Sequence, residues 1–322
     1  MSDAGIVFVT GGSGFVGRHI VHLLQQRAYQ VRALVRRTPE PALDPGVELV
    51  IGDLTQPATY AHALKGACAV VHSALTDRPP DDVAATSTLQ KSSAQAGVGK
   101  FIHLSSIAVY GNPREGTITE KTPPVPAADE YSRAKLAIEE ALRANHEIGE
   151  VTVLRLGCVY GPGDGWWSRG LLERMKRGSV ILVDGGTGTA NLVHAADVAS
   201  MVLLLIERSN SPFDVFNVTD GTPVSWSRYF SELEGILGHR ATVSMRAADA
   251  RIFGRKWLHP SLMRRIAHKL LQGPVIHPLD DAGIDGFLSR AIYSSEKAVS
   301  ELGFRPRYDL KSGIETMRLD WQ

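Results

Sequence analysis

Cysteine is nearly absent: the chain has only Cys68 and Cys158, both in apolar sequence. That excludes a disulfide framework, reads both thiols as buried and inert, and favours a reducing compartment. Charge of one sign is not in excess either, since 35 lysines and arginines meet 34 aspartates and glutamates, leaving +1 over 322 residues. Bulk attraction to nucleic acid or to an acidic membrane is therefore excluded. Long apolar runs are also missing. The most apolar stretch, Val198 to Ile206, is about half the length that crosses a bilayer and reads as a buried helix. The opening MSDAGIVFVTGG shows no basic region followed by a long apolar segment, so no secretory leader is expected and the cytoplasm is the expected location. The histidines follow no H-E-x-x-H or comparable pattern, and no metal is expected. No period of about 20 to 50 residues repeats, which excludes solenoids and propellers.

What the chain does have is 43% apolar residues over about twice the length of an ordinary domain. Its first half alternates short β-branched runs with segments of helical period. IVFVT (6–10) precedes a helix over 15–27. Strands follow at VRALVR (31–36) and VELVIGD (47–53), then a helical segment around 57–66 and a strand at AVVHSA (69–74). A helix over about 82–96, the strand KFIHLSS (100–106), a helix over about 129–145 and the strand VTVLRLG (151–157) continue the pattern. Strands flanked by helices call for an α/β fold with a Rossmann-type, doubly wound parallel sheet covered on both faces. After Gly161-Pro162-Gly163 the rhythm breaks, and a helix over 195–208 and a strand at 216–220 return to the sheet. The expected organisation is a dinucleotide-binding domain over 1–160, rejoined at about 190–220. A smaller, mainly helical C-terminal substrate lobe is expected from 161–189 and 221–322.

Thr10-Gly11-Gly12-Ser13-Gly14-Phe15-Val16-Gly17 follows an apolar strand and opens a helix. In that context Gly11 permits the tight turn, Gly14 lets a pyrophosphate approach the backbone, and Gly17 allows close packing, while unpaired helix N–H groups meet the anion. An acid at the end of the second strand would bind the ribose of NAD, but that strand ends in Arg36-Arg37. Two guanidiniums suit a 2′-phosphate, so NADP is favoured over NAD. Asp53, with Leu54 beside it, ends the third strand and either accepts from an adenine amine or serves the turn.

Tyr131 and Lys135 are spaced to share one helical face. Lowering a phenol from about pH 10 to neutrality requires roughly 4 kcal/mol of phenolate stabilisation, which an adjacent ammonium and a cationic nicotinamide would supply. Ser106, ending the KFIHLSS strand, is the candidate hydroxyl donor to a reacting oxygen.

These motifs, with His72-Ser73-Ala74, Ser106-Ile107-Ala108-Val109-Tyr110-Gly111, Arg155-Leu156-Gly157-Cys158-Val159-Tyr160-Gly161-Pro162-Gly163, Val193-His194-Ala195-Ala196-Asp197 and Glu301-Leu302-Gly303-Phe304-Arg305-Pro306, occur in the order of the extended short-chain dehydrogenase/reductase family. The chain resembles that family along nearly its whole length. The resemblance implies a catalytic set of Ser106, Tyr131 and Lys135, in which Tyr131 exchanges a proton, Lys135 holds the nicotinamide ribose and Ser106 bonds the substrate oxygen. It also implies a coenzyme site from Thr10 to Gly17 with Arg36, Arg37, Asp53, Leu54, Ser73, Ala74, Tyr131 and Lys135, and a homodimer.

Departures from the family's subgroups narrow the reaction. Ser105-Ser106-Ile107-Ala108 carries no acid where sugar dehydratases place one. Ala190 stands where nucleotide-sugar epimerases usually have an arginine for the diphosphate. The balance moves toward the branch resembling 3-beta-hydroxysteroid dehydrogenases and ketoreductases: hydride transfer between a nicotinamide coenzyme and a secondary alcohol or ketone on a mostly apolar small molecule. The alternatives are a nucleotide-sugar epimerase holding NAD tightly and, in another class, an NADP-sensing regulator without turnover, against which Tyr131 and Lys135 count. Asp82 stands where asparagine is common in the family. Trp166 and Trp167 are expected either to wall the substrate site or to pack the lobe. The basic amphipathic stretch 251–272, without an acid, reads as a solvated helix face, with peripheral membrane contact as the alternative. His194 and Asp197 read as capping and packing residues.

Overall fold

Why the sheet is parallel and buried on both faces follows from its strands, which are near-continuous apolar runs such as Val7-Phe8-Val9, each fully buried. A computed structural model describes residues 4–38, 43–76, 78–127, 129–145, 147–209, 211–258 and 276–321. Its central sheet comprises β1 (Ile6–Thr10), β2 (Gln30–Val35), β3 (Glu48–Ile51), β4 (Ala67–His72), β5 (Lys100–Ser106), β6 (Glu150–Leu156) and β7 (Phe213–Val218). All are parallel, in the spatial order β3-β2-β1-β4-β5-β6-β7. The chain winds outward from β1 to β3 and then restarts at β4 on the other side of β1. The loops leaving β1 and β4 therefore part in opposite directions and leave a crevice at their carboxyl ends, where ligands of such sheets bind. Registers Thr10↔His72 and Ser106↔Leu156 bring the candidate strand ends to that same edge.

Helices α1 (Phe15–Gln26) and α5 (Ala195–Glu207) cover one face, with Ile20, Val21 and Leu24 packed in one core with Val198, Met201 and Val202. On the other face α2 (Pro79–Gln95) and α3 (Glu130–Ala144) bury Leu89, Ile138 and Leu142 against Phe8, Val70 and Phe101. The segment around 57–66, expected to be helical, forms two short 3-10 turns, Pro57–Thr59 and Ala61–Leu64. A run this short pays the nucleation penalty of an α-helix without the length to recover it, and the turns suffice to bury Tyr60 and Leu64.

Beyond the sheet, α4 (Leu171–Arg177), α6 (Trp226–Leu237) and α10 (Leu310–Trp321) share a separate apolar cluster around Tyr160, Tyr229 and Phe230. A short parallel sheet of Thr242–Met245, Ser179–Val183 and Ile276–His277 packs with α7 (Ala247–Leu258) and α8 (Asp281–Leu288). The helix α9 (Glu296–Leu302) lies on β7. Much of the basic stretch 251–272 falls outside the described residues. Within them, Arg251 pairs with Asp281 and Asp285, and Arg255 with Asp281, so these charges are engaged by α8. No helix among the described residues is long and apolar enough to cross a membrane.

Candidate active site

The glycine loop is set by contacts that leave no room for side chains. Gly11 has φ +70, and a Cβ there would lie 2.6 Å from Ser73 Oγ and 2.7 Å from the Ala74 nitrogen. A Cβ on Gly17 would lie 2.0 Å from the Gly11 carbonyl oxygen. The first turn of α1 thus folds back onto the loop. Gly14 caps α1 with no side-chain acceptor, and its first turn has no acid, an arrangement in which leading N–H groups could meet an anion. Thr10 and Gly12 lie below this surface. Thr10 is fully buried, its Oγ1 paired with His72 Nδ1 at 2.7 Å, and Gly12 packs toward Val9 and Val21. Ser73 Oγ donates to the Thr10 carbonyl (2.8 Å), and Thr10 Oγ1 accepts from the Ala74 N–H (3.3 Å). These bonds fasten the two crevice loops together.

Two cavities open from the loop and share Gly11, Gly14, Ser73 and Leu75. One, of about 450 Å³, is lined by Ser13, Arg36, Asp53, Leu54, Ala74 and Arg78. It matches the adenosine end of a dinucleotide. Asp53 also serves the turn: its Oδ1 accepts from Thr55 N and Thr55 Oγ1, both at 2.8 Å, and these bonds hold its carboxyl below the usual carboxylate range. Arg37 is exposed and does not line this cavity.

The other cavity, of about 680 Å³, brings together Phe15, Val16, Gly17, Ser106, Tyr131 and Lys135. Strand β5 delivers Ser106 and α3 delivers the other two. Asp129 caps α3, its side chain accepting from Ser132 N at 2.7 Å, which fixes the turn bearing Tyr131. Lys135 is 5% exposed, its Nζ donating to the Leu104 carbonyl at 2.9 Å and lying 5.9 Å from the Tyr131 ring centroid. Burial lowers its amine to about 8, against the attraction of Asp82 and Glu139. The Tyr131 phenol departs from expectation. Although 46% of the residue is exposed in the cleft, burial around the phenol pushes it above its ordinary value, and a hydrogen bond from Ser106 opposes the rise. Desolvation is the largest cause, and the negative charge of Asp129 adds to it.

Several partners of this set were not read from the sequence. Glu139, one turn beyond Lys135, accepts from Ser105 Oγ at 2.5 Å and from Arg155 Nη2 at 2.6 Å, all three buried. Arg155 Nη1 also donates to the Tyr110 hydroxyl at 2.6 Å. The signal was present: an arginine inside the apolar strand VTVLRLG, and an acid four residues after Lys135. The cavity's far wall was less legible. Trp166, Trp167, Trp226 and Phe287 line it, with Gly283 and Gly286 of α8. Trp166 is 59% exposed, whereas the ring of Trp167 lies tilted against Trp226 with centroids 5.0 Å apart, so Trp167 both lines the cavity and packs the lobe. Phe15 fills a notch in the following loop, where a Cβ on Gly165 would lie 2.4 Å from its ring. Cys158 also lines the cavity, its thiol pushed up to about 12 by burial, while Cys68 is exposed rather than buried. His194 caps α5 by accepting from Ala196 N at 3.2 Å, and Asp197 accepts from the Arg307 and Tyr308 N–H groups.

The crevice position, the glycine cradle and the clustered Ser106, Tyr131 and Lys135 fit a nicotinamide dinucleotide. The sequence profile of the NAD dependent epimerase/dehydratase family matches residues 7–219, and the chain belongs to that family. It is 26% identical to a 4-hydroxy-2-methyl-3-oxo-4-farnesyl-3,4-dihydroquinoline-1-oxide ketoreductase of Stigmatella aurantiaca, covering 97% of this chain and 95% of that one. It is also 26% identical to a 3-beta-hydroxysteroid dehydrogenase of Mycolicibacterium neoaurum, over 97% and 90%. Among solved structures, MoeE5 in complex with UDP-glucose and NAD superposes with a TM-score of 0.73 at 25% identity, covering 98% of both chains.

Proposed function

We propose that this chain is an NAD(P)-dependent oxidoreductase that interconverts a secondary alcohol and a ketone on an uncharged, mostly apolar small molecule. The observation that carries the reading is the composition of the larger cavity. Tyr131, Ser106 and Lys135 stand at one side and an aromatic wall at the other, and Lys135 is the one charged residue among its described lining residues. A sugar nucleotide would bring two phosphates into a chamber whose described lining residues offer no guanidinium for them. The activities named for the two relatives, a ketoreductase and a hydroxysteroid dehydrogenase, support the same reading. Residues 161–189 and 221–322 are taken as the substrate lobe.

When bound, the coenzyme supplies or accepts the hydride at its nicotinamide ring. In the reductive direction Tyr131 gives its phenolic proton to the substrate oxygen, while Ser106 donates a hydrogen bond to that oxygen and orients the carbonyl. Lys135, held by the Leu104 carbonyl, presents its ammonium to the nicotinamide ribose and stabilises the phenolate left on Tyr131. The aromatic wall excludes water and takes the apolar body of the substrate. At the other end Arg36 receives a 2′-phosphate, which makes NADP the preferred coenzyme.

The test is NADPH and NADH oxidation against a panel of apolar ketones beside UDP- and GDP-sugars, with Tyr131→Phe and Arg36→Ser variants. Ketone-dependent oxidation is expected, reduced at least about 100-fold in Tyr131→Phe. Arg36→Ser should shift preference toward NADH by about tenfold. Full turnover in Tyr131→Phe, or conversion of the sugar nucleotides alone, would refute the reading.

A further inference from the structure

Glycine inside a helix destabilises it relative to alanine, so each glycine of α8 calls for a reason. Gly283 has one: a Cβ there would lie 3.0 Å from Asp280 Oδ1, the atom that caps the helix by accepting from the Gly283 N–H at 2.7 Å. Gly286 has no such reason. Its φ lies outside the left-handed region, and α8 ends beyond it at Ser289, whose φ is −61, so it is not a glycine cap. Among the described residues outside its own turn, a Cβ on Gly286 would meet only Asn112 Oδ1 within 4 Å, at an ordinary contact distance of 3.5 Å. A methyl group would fit, yet the position carries none. The space beside it is the larger chamber, which Gly286 and Asn112 line together with Ser106, Tyr131 and Lys135.

The helix is tied in place along its length, so it cannot draw back to make room. Asn112 Nδ2 donates to the Ala282 carbonyl at 3.1 Å, Ser289 Oγ to the Pro113 carbonyl at 2.6 Å, and the Thr189 N–H to the Ser289 carbonyl at 2.7 Å. Arg251 of α7 pairs with Asp281 and Asp285, and Ile284 is fully buried. Any side chain at 286 therefore takes its volume from the chamber. We propose that Gly286 is a specificity-determining residue: the room it leaves beside Asn112 takes the end of a bulky apolar ketone remote from the carbonyl, and admits substrates larger than a single ring. The inference rests on the reading of this chamber as the site of ketone reduction.

The measurement is kcat/KM for NADPH-dependent reduction of cyclohexanone and of 4-phenylcyclohexanone, in the parent, Gly286→Ala and Gly286→Leu. The parent should favour the larger ketone. A single methylene in an apolar pocket is worth about 10- to 200-fold in discrimination between substrates. Gly286→Leu should therefore lower the ratio of larger to smaller ketone at least about tenfold, and Gly286→Ala at least about threefold. Gly286→Ala should also raise the melting temperature, because alanine favours the helix. A glycine needed only for packing would give the reverse, a lower melting temperature with equal losses on both ketones. Should Gly286→Leu fail to fold, Gly286→Ala carries the test, since its methyl group has space. An unchanged ratio in the folded variants would overturn the role of Gly286 and leave ketone reduction standing. A parent inactive on these two and on every other ketone of the wider panel would overturn the reading of the chamber, and the role of Gly286 with it.

Discussion

Replacing Lys135 with methionine should make this protein more stable and inactive. The side chain is 5% exposed and its amine is lowered by burial from 10.5 to about 8. At 1.36 kcal/mol per pH unit that displacement means the folded protein carries a cost of about 3 kcal/mol at neutral pH for holding the ammonium. Methionine fills a similar volume without the charge. It gives up the hydrogen bond to the Leu104 carbonyl, which costs about 1 kcal/mol. The net expectation at pH 7 is a gain of about 2 kcal/mol, or about 4 °C in melting temperature. The sign with pH is specific. Below about 8 the lysine is charged in both folded and unfolded chains, and the cost is present in full. Between about 8 and 10.5 the unfolded chain binds more protons than the folded one, so wild-type stability rises with pH across that window. Lys135→Met should therefore lose its advantage as pH rises through that window. Urea denaturation followed by tryptophan fluorescence, at pH 7 and near the top of that window, measures both gaps. A variant less stable than wild type at pH 7, or a gap of equal size at both values, would refute the reasoning.

Two further substitutions probe the scaffold. Gly17→Ala places a methyl group 2.0 Å from the Gly11 carbonyl oxygen, so the loop must move; NADPH affinity should fall at least about tenfold, measured by fluorescence titration. Arg155→Met leaves the buried Glu139 carboxylate without its guanidinium and should cost about 3 to 5 kcal/mol in urea unfolding, with Arg155→Lys recovering only part because it cannot form the two-pronged contact.

How far the sequence reached depends on the span of the interaction concerned. The strands β1, β2, β4, β5 and β6 were legible because each is a short β-branched run between turn residues. The Gly11–Gly17 loop, Ser106 and the Tyr131–Lys135 spacing were legible because each motif is local. The stretch around 57–66 was misread because its apolar residues suit a helix and two 3-10 turns equally well. The tie from Ser105 to Glu139 spans 34 residues, and the roof of Gly286 and Phe287 arrives from far down the chain. Such contacts depend on sheet order, which periodicity does not carry. The direction of the Tyr131 shift was missed for a related reason: the motif identifies the neighbouring ammonium but not how much solvent the fold removes.

The ring of Phe15, seated in the space that a side chain at Gly165 would need, has a bearing on attempts to retune selectivity. Position 15 opens the helix of the dinucleotide grip, and position 165 belongs to the strip that runs into the chamber wall. Engineering would treat these as separate modules, yet they are cast against each other. Libraries that diversify Gly165 alone will be poor in members that retain coenzyme. Loop exchanges with relatives succeed only when the residue at 15 travels with the transplanted segment, as one paired unit of inheritance.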